Sequence, residues 1–456
     1  MDLINAEILL YLDYPDIINA CIALPAFSEV CKTPYFWARK AEADFGIPSN
    51  ELSLVPGSSN QERYEFIYDI KDPNIGLIEA GKIGSLSLVK YYIKQGADLN
   101  KEVLRSSAGY GHLDIVKYLV EQGADLHADD EITLRAAVSN GHLDVVKYLV
   151  EQGADVHNED ALRLAAGNGH LDVVKYLVEQ GADLHADDEE ALRWAAGNGH
   201  LDVVKYLIEQ GADLHAEDED ALKSAIGNGH LDVVKYLVKQ GADLHIEEAL
   251  ELAAGYGHLD IVKYLVEQGA EDEEALKSAS SNGHLDVVKY LVEQGADLHA
   301  DDEEALKSAA GNGHLDLVKY LVEQGANLHA SDEEALRLAA WYGHLDVVKY
   351  LVEQGADLHA KNEDILRSAV ENSYLDAIEY LVEQGADLHA DDEYALRSAA
   401  RNGDLDVVKY LVKQGADLHA KDEEALRLAD ENGHSDVVKY LIEQGADASY
   451  LYLTNQ

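Results

Sequence analysis

The sequence predicts an all-α protein in which helix-turn-helix repeats stack into a solenoid, with a small helical module before them. Three observations predict this fold: a segment of about 30 residues recurs along most of the chain, its apolar residues follow helical spacing, and the composition changes near residue 72. All six prolines lie at or before Pro73, whereas all 20 histidines lie at or after His112. The 456 residues therefore divide into two zones rather than three unrelated domains.

The repeat can be followed from the glycine in the run NGHLDVVKYLVEQGADLH, which we call the anchor position. This position recurs 13 times at spacings of 26 to 30 residues. A constant period of this length predicts a stack of one supersecondary unit. The anchor residues are Gly84, Gly111, Gly141, Gly169, Gly199, Gly229, Gly257, Gly283, Gly313, Gly343, Ser373, Gly403 and Gly433.

Each unit has the pattern of two helices, as residues 187–210 illustrate. Apolar residues recur at i, i+3 and i+4 in each half, and a Gly-Asn-Gly stretch at 197–199 separates the halves. Asp187 or Asp188 is expected to cap the first helix, because acidic groups are favoured at a helix N-terminus. A single hairpin cannot bury its apolar face alone, so neighbouring units must stack.

The pattern ALxxAAxxGHxxVVxxLVxxGAD closely resembles the ankyrin repeat over about residues 72–447. The resemblance implies an ankyrin-type solenoid of 13 repeats. Where that family usually has Gly-x-Thr-Pro-Leu-His before its first helix, this chain has Glu-Glu-Ala-Leu and is about three residues shorter. We therefore expect shortened hairpin fingers, with aspartate caps replacing the Thr and His hydrogen bonds. The variant is also similar to ankyrin arrays of large DNA viruses of amoebae.

The first 70 residues follow a different pattern. Leu, Ile, Phe and Trp at helical spacing predict compact short helices over residues 1–45. Residues 46–71 are predicted to be a loop-like linker with one short helix, and residues 448–456 a C-terminal tail.

The order of apolar residues within 1–45 resembles an F-box, a helical module that docks on the Skp-type adaptor of cullin ubiquitin ligases. The family's Leu-Pro start is Leu3-Ile4 here, so the proline that would set the helix entry is missing. The alternative is a helical cap that shields the first hydrophobic face of the array. The resemblance implies adaptor-docking residues that include Leu3, Ile8, Leu9, Leu12, Pro15 and Ile17.

Charge and composition exclude several classes of function. Asp and Glu total 87 against 36 Lys and Arg, a net charge of −51, which repels nucleic acid and anionic membranes. No apolar run reaches the about 18 residues of a membrane span. Two cysteines cannot build a disulfide framework, so we expect an intracellular, cytoplasmic protein, with the nucleus left open and a host cell if the protein is viral.

Catalytic and cofactor motifs are not found in the sequence. There is no GxxxxGK[ST], CxxC, HExxH or GxSxG motif. The many carboxylates lie at predicted helix N-termini that are exposed to solvent. Equivalent histidines on successive repeats should lie about 8–10 Å apart, whereas one metal ion needs each nitrogen at about 2.1 Å. We therefore expect no enzyme activity, no cofactor and no metal, with hydrogen-bonded histidines in the turns.

Residues that vary between repeats are the candidates for partner recognition. On the first helix, large residues replace the common serine or alanine at Leu164, Trp194, Leu252 and Leu338. A second group could form an aromatic hot spot. Neutral drift in a redundant array is the alternative explanation. The second group is Trp341, Tyr342, Tyr374 and Tyr394.

The sequence therefore predicts a monomeric protein–protein interaction module. Its acidic array would bind a protein with a basic surface, and the F-box-like segment would present that protein to a cullin-type ubiquitin ligase. The alternative is a plain ankyrin scaffold in which the N-terminus is only a cap and has no ligase link.

Overall fold

A computed structural model describes residues 2–157, 159–242, 246–270, 273–361 and 363–449, without the side chains of 2–5, 130, 159, 246–247 and 273. Within these ranges the chain is helical and contains no β-strand, which confirms the predicted all-α solenoid of helix-turn-helix repeats. The chain forms two compact units. The first contains Met1–Ala225 and Asp232–Ala242, and the second contains Ile226–Leu231 and Asp243–Gln456.

Six helices precede the repeats. Prolines occupy the first turn of α2, α3 and α4, where the missing backbone N–H costs nothing. Trp37, which is 2% exposed, donates from Nε1 to the carbonyl of Cys31 at 2.7 Å, and Cys31 forms a disulfide with Cys21. The helices are α1 (Asp2–Leu10), α2 (Tyr14–Ala23), α3 (Pro25–Cys31), α4 (Pro34–Phe45), α5 (Ser49–Leu52) and α6 (Asn60–Asp69).

The segment predicted as a linker with one short helix, residues 46–71, contains buried side chains. It carries α5 and α6, and Leu52 is fully buried. The Glu51 carboxylate accepts hydrogen bonds from the hydroxyls of Ser85 and Ser87, at 2.7 and 2.9 Å. The polar residues that suggested a loop thus surround a few buried apolar side chains, and the segment joins the N-terminal module to the first repeat.

The repeat helices of residues 73–240 come in pairs, one pair for each anchor residue. They are α7 (Pro73–Ile83), α8 (Leu86–Lys94), α9 (Lys101–Gly109), α10 (Leu113–Glu121), α11 (Ala128–Ser139), α12 (Leu143–Glu151), α13 (Glu159–Gly167), α14 (Leu171–Glu179), α15 (Glu190–Gly197), α16 (Leu201–Glu209), α17 (Ala216–Gly227) and α18 (Leu231–Gln240).

The remaining pairs lie in the second unit. They are α19 (Ile246–Gly255), α20 (Leu259–Glu267), α21 (Glu273–Ser281), α22 (Leu285–Glu293), α23 (Ala300–Gly311), α24 (Leu315–Glu323), α25 (Glu334–Trp341), α26 (Leu345–Glu353), α27 (Asp364–Glu371), α28 (Leu375–Glu383), α29 (Ala390–Asn402), α30 (Leu405–Gln414), α31 (Ala420–Glu431) and α32 (Ser435–Glu443).

Each pair buries the predicted apolar stripes. Leu192, Ala195 and Ala196 of α15 and Val203 and Val204 of α16 are at most 1% exposed. Because the first helices expose mainly alanine to one another, they pack more closely across repeats than the second helices do. The second helices meet through a ladder in which a lysine ammonium lies 5.2–5.9 Å from the centroid of a tyrosine ring on the next repeat, as in Lys175 and Tyr206.

The prediction that Asp187 or Asp188 caps the first helix of its repeat is wrong. Asp187, Asp188 and Glu189 have φ values of 49°, 54° and 65°, and Glu189 at the start of α15 makes no capping hydrogen bond. The three residues form a left-handed turn, and the glutamate at its end is buried. The same turn recurs at 217–219, 301–303, 331–333, 391–393 and 421–423.

This turn makes a testable prediction about stability. An L-residue in the left-handed region costs about 1–2 kcal/mol, and glycine avoids most of that cost. Asp188→Gly should therefore raise the free energy of unfolding by about 0.5–1 kcal/mol, measured by urea titration. Asp202→Gly, in the first turn of α16, should lower it by about 0.3–0.5 kcal/mol. A loss at both positions would contradict the left-handed turn.

Candidate protein-binding surface

The histidines that follow the anchor glycines hold successive repeats together. His200 Nε2 is hydrogen-bonded to the carbonyl of Gly167 in the preceding repeat at 3.1 Å. Its ring covers Gly169 so closely that a methyl group there would come within 2.5 Å of Nδ1. The same bond is made by His112, His142, His170, His258, His284, His314, His344 and His434, which confirms hydrogen-bonded turn histidines.

The second row of histidines pairs with the glutamates that end the left-handed turns. His185 Nδ1 is hydrogen-bonded to Glu189, whose side chain is 6% exposed, and the same Glu189 oxygen accepts from the backbone N–H of Asp213 in the next repeat at 3.0 Å. The hydrogen bond to Glu189 raises the pKa of His185. The same hydrogen bond from histidine Nδ1 to glutamate occurs in seven further pairs, namely 127–131, 215–219, 299–303, 329–333, 359–363, 389–393 and 419–423.

The first row of histidines therefore links neighbouring repeats, and in the second row Glu189 links its own repeat to the next. In the described ranges no group of three or more His, Cys, Asp or Glu side chains could hold a metal ion. Functional contacts must then come from side chains that the stacking leaves exposed.

In the first unit, two predicted partner-binding residues lie on first helices. Leu164 of α13 is half-buried, and Trp194 of α15 is 43% exposed. The Trp194 ring leans on the preceding repeat, with the guanidinium of Arg163 at 5.4 Å from its centroid. A methyl group on Gly167 would come within 3.3 Å of the indole, so this glycine provides the space for the ring.

In the second unit, Leu252 and Leu338 occupy the same first-helix position and are half-buried. Leu338 lies one turn before Tyr342, which is 53% exposed. Both side chains rest on Gly311 of the preceding repeat, where an added methyl group would lie 3.4 Å from Leu338 Cβ and 3.9 Å from Tyr342 Cδ2. Leu338 and Tyr342 together form one apolar patch on the surface of the first helices.

The predicted aromatic hot spot extends over three consecutive repeats. Trp341 is half-buried at the end of α25, next to Tyr342. Tyr374 precedes α28 in the position that histidine holds elsewhere, and it covers Gly343 as those histidines cover their glycines. Tyr374 is 38% exposed, so it combines an interface role with an accessible ring edge.

Tyr394 belongs to a different set of contacts. Its hydroxyl donates to Glu371, and its ring centroid lies 4.2 Å from the guanidinium of Arg367 and 5.8 Å from that of Arg397. In most other repeats this position is acidic and pairs with an arginine or a lysine, as Glu190 does with Arg163 and Arg193. The tyrosine replaces that ion pair by stacking.

Two exposed tyrosines were missed by the sequence-based selection. Tyr110 and Tyr256 are 59% and 58% exposed and immediately precede their anchor glycines, as Tyr342 does. The Tyr256 ring lies over Gly227 of the preceding repeat, and Leu252 stands one turn before it. An alignment of the 13 units on the anchor position would have found both, since asparagine is the usual residue there.

The residues predicted to dock an adaptor have mixed environments. Leu9 and Ile17 are fully buried in the N-terminal module, whereas Ile8 is 49% exposed and Pro15 is exposed. Leu12 is half-buried. Leu3 lies in α1, and its side chain is outside the described part of the chain.

Comparison with known proteins gives one family. A family model described as ankyrin repeats, in three copies, matches residues 77–160, 162–248, 222–302, 276–362 and 364–450. A comparison with curated proteins gives no match. Among the helices described, none has the length and apolar character needed to cross a membrane.

Proposed function

The chain belongs to the ankyrin-repeat family and is a protein–protein interaction module, and we propose that it holds its partner on the face formed by the first helices. The observation that carries this proposal is the pair of large side chains one turn apart, Leu338 with Tyr342, at two positions where many other repeats have serine or alanine and then asparagine. Leu252 with Tyr256 repeats the pair.

Such a pair has the properties of a binding hot spot. Tyr342 is anchored on one side by Gly311, so little side-chain entropy remains to be lost when a partner covers its other side. Tyrosine also combines a large apolar area with a hydroxyl that can hydrogen-bond at an interface. Trp341 and Tyr374 extend this apolar surface in the proposal, and Trp194 and Leu164 contribute an equivalent one in the first unit.

We propose further that the partner has a basic surface. Asp187, Asp188, Asp301 and Asp302 are exposed beside the first helices, and the net charge of the chain is −51. A field of one sign accelerates association with a partner of opposite charge and is screened by salt. The association rate should therefore fall as salt is added.

The double substitution Leu338→Ala/Tyr342→Ala tests the binding face. The partner is first identified by photo-crosslinking from benzoylphenylalanine at position 342 and then purified. We expect the double variant to bind the purified partner at least about 30-fold more weakly by calorimetry, because a hot-spot residue contributes about 2 kcal/mol or more.

The matched control is Ser308→Ala/Asn312→Ala, the same two positions one repeat earlier. This control should leave the affinity within about twofold, since it removes no large apolar contact. Both variants should keep the melting temperature. Equal affinities for the two variants would place the partner on another face.

A second candidate function is that of a substrate receptor for a cullin-type ubiquitin ligase, with an Skp-type adaptor on the N-terminal module. It is favoured by the apolar side chains that this module exposes, including Ile8, Tyr11 at 91% and Ile22 at 80%. The burial of Leu9 and Ile17 limits the adaptor-docking role to Ile8, Leu12 and Pro15 among the described side chains.

A pull-down of the purified adaptor separates this candidate from a plain scaffold. The full chain should retain the adaptor, and Ile8→Asp, which introduces charge at an exposed site, should lose it. Tyr35→Asp, at another exposed aromatic of the module, is the matched control. If the unaltered chain does not retain the adaptor, the N-terminal module acts only as a helical cap on the array.

A further inference from the structure

A cavity of about 550 Å³ lies where the N-terminal module meets the first repeat. Helices α4 and α6 supply one side and α7 and α8 the other. Its lining is dominated by rings, namely those of Tyr14, Phe45, Tyr64, Tyr68, Tyr91 and Tyr92.

The rings form a continuous aromatic wall. The centroids of Tyr14 and Tyr68 are 5.1 Å apart, and those of Tyr64 and Tyr68 are 6.2 Å apart with planes inclined by 14°. Phe45 continues the wall with its edge against Tyr91 at 5.4 Å. Aromatic faces carry partial negative charge, so a wall of this kind attracts a cation.

Carboxylates reinforce that preference. Asp13 and Asp44 line the cavity, and Asp44 accepts from the hydroxyl of Tyr64 at 2.5 Å and from the ammonium of Lys40 at 2.8 Å. A negative charge beside an aromatic face favours an organic cation over a neutral ligand of the same shape.

The chain already places one alkylammonium on this wall. Lys71 lies at the cavity, and its Nζ is 3.7 Å from the centroid of the Tyr68 ring. Lys71 is itself exposed, so its ammonium can leave the ring without disturbing the core.

One polar group of the cavity has no partner. The Tyr92 side chain is 3% exposed, and in the described structure its buried hydroxyl makes no hydrogen bond. Burial raises the pKa of Tyr92 to about 12, so the phenol stays neutral at physiological pH. A buried hydroxyl without a partner is costly unless a ligand supplies one.

We propose that this cavity is a binding site for an alkylammonium group, the class of cation carried by a lysine side chain. The aromatic wall takes the cation, Asp13 supplies an opposite charge, and Tyr92 offers an oxygen as acceptor. Lys71 occupies the wall when the site is empty and competes with the ligand. Leu338 and Tyr342 do not line this cavity, so Leu338→Ala/Tyr342→Ala should leave its binding unchanged.

Calorimetric titration of the full chain with the peptide acetyl-Gly-Lys-Gly-amide tests the proposal. We expect saturable binding of this peptide and none of the norleucine peptide of equal length, which lacks the charge. Lys71→Met should lower the dissociation constant about threefold, because it removes the competing ammonium. Tyr68→Leu should raise it about fivefold.

The matched control is Lys90→Met, which removes an ammonium 5.2 Å from the ring of Tyr118, away from the cavity. It should leave the dissociation constant unchanged. Equal binding of the lysine and norleucine peptides, or an unchanged constant in Lys71→Met, overturns the proposal even if Tyr68→Leu fails to fold.

The same titration with n-butylammonium chloride distinguishes the two sources of an alkylammonium. Binding of the peptide well above that of the free amine assigns the site to a lysine of a partner protein. Equal binding of the two assigns it to a small amine. If neither probe binds, the cavity is not an alkylammonium site.

Discussion

Gly169→Ala should lower the free energy of unfolding by about 3 kcal/mol in urea titration. Gly169 has a φ of 74°, and a methyl group added to it would lie 2.5 Å from Nδ1 of His200, closer than nonbonded atoms approach. The left-handed backbone contributes about 1 kcal/mol of the expected loss and displacement of the ring about 2 kcal/mol. The hydrogen bond from His200 to Gly167 would be lost with that displacement.

Gly211→Ala separates the two contributions. Gly211 has a φ of 103°, and a methyl group there would meet nothing within 4 Å. Only the backbone cost of about 1–2 kcal/mol should remain. A loss as large as that of Gly169→Ala would show that contact with the histidine is unimportant.

The double variant Gly169→Ala/His200→Ala adds a sharper test. With the imidazole removed, the new methyl group has space, so the double variant should lose about 2 kcal/mol less than the sum of the single variants. If the losses of unfolding free energy of the single variants simply add up in the double variant, the added methyl group does not clash with the imidazole of His200. Hydrogen exchange of residues 160–205 locates the effect at this interface, because repeat proteins can open locally.

The chain contains a natural version of this experiment. At Ser373 the anchor glycine is replaced, and the residue one repeat later is Asp404 rather than histidine. The serine keeps a φ of 64° and its hydroxyl donates to Asp404. A Cβ at the anchor is thus accompanied by loss of the ring that it would strike.

The repeat made much of the fold predictable. Thirteen copies show which positions are always apolar, and the stripes of Leu192, Ala195 and Val203 are buried as predicted. The partner of His200 was not predictable, because it is a backbone carbonyl 33 residues earlier whose position depends on how two hairpins dock. Nothing in the sequence pattern indicates how one hairpin is aligned against the next.

The acidic turns show why local rules failed. Asp187, Asp188 and Glu189 look alike as wet helix-capping residues, yet Glu189 is buried and the aspartates are exposed. A capping rule considers one helix at a time. The buried position of Glu189 instead depends on its hydrogen bonds with His185 and with a backbone N–H of the next repeat. The partner-binding residues Trp194 and Tyr342 stay predictions, since stacking leaves them exposed without showing what covers them.

Glu189→Ala should lower the free energy of unfolding by about 2 kcal/mol. The substitution removes the acceptor of His185 and leaves the backbone N–H of Asp213 without its bond, and an orphaned, partly buried donor costs about 1–3 kcal/mol. Glu209→Ala, at an exposed position of α16, should cause no loss. Similar losses of unfolding free energy for the two variants would mean that Glu189 does not link the repeats.

Glu189→Gln tests the charge within the same pair through pH. Hydrogen bonding to Glu189 raises the folded-state pKa of His185 above the ordinary value of 6.5. A group whose folded pKa is raised stabilises the protein fully below its unfolded pKa, and this contribution disappears as pH rises through the folded value. The melting temperature of the unaltered chain should therefore exceed that of Glu189→Gln most at pH 5.5–6.5, where carboxylates are still ionised, and the gap should narrow toward pH 9. The other seven His–Glu pairs are present in both proteins and contribute equally to them. A difference in melting temperature that stays constant from pH 5.5 to pH 9 would therefore exclude a charged imidazolium at His185.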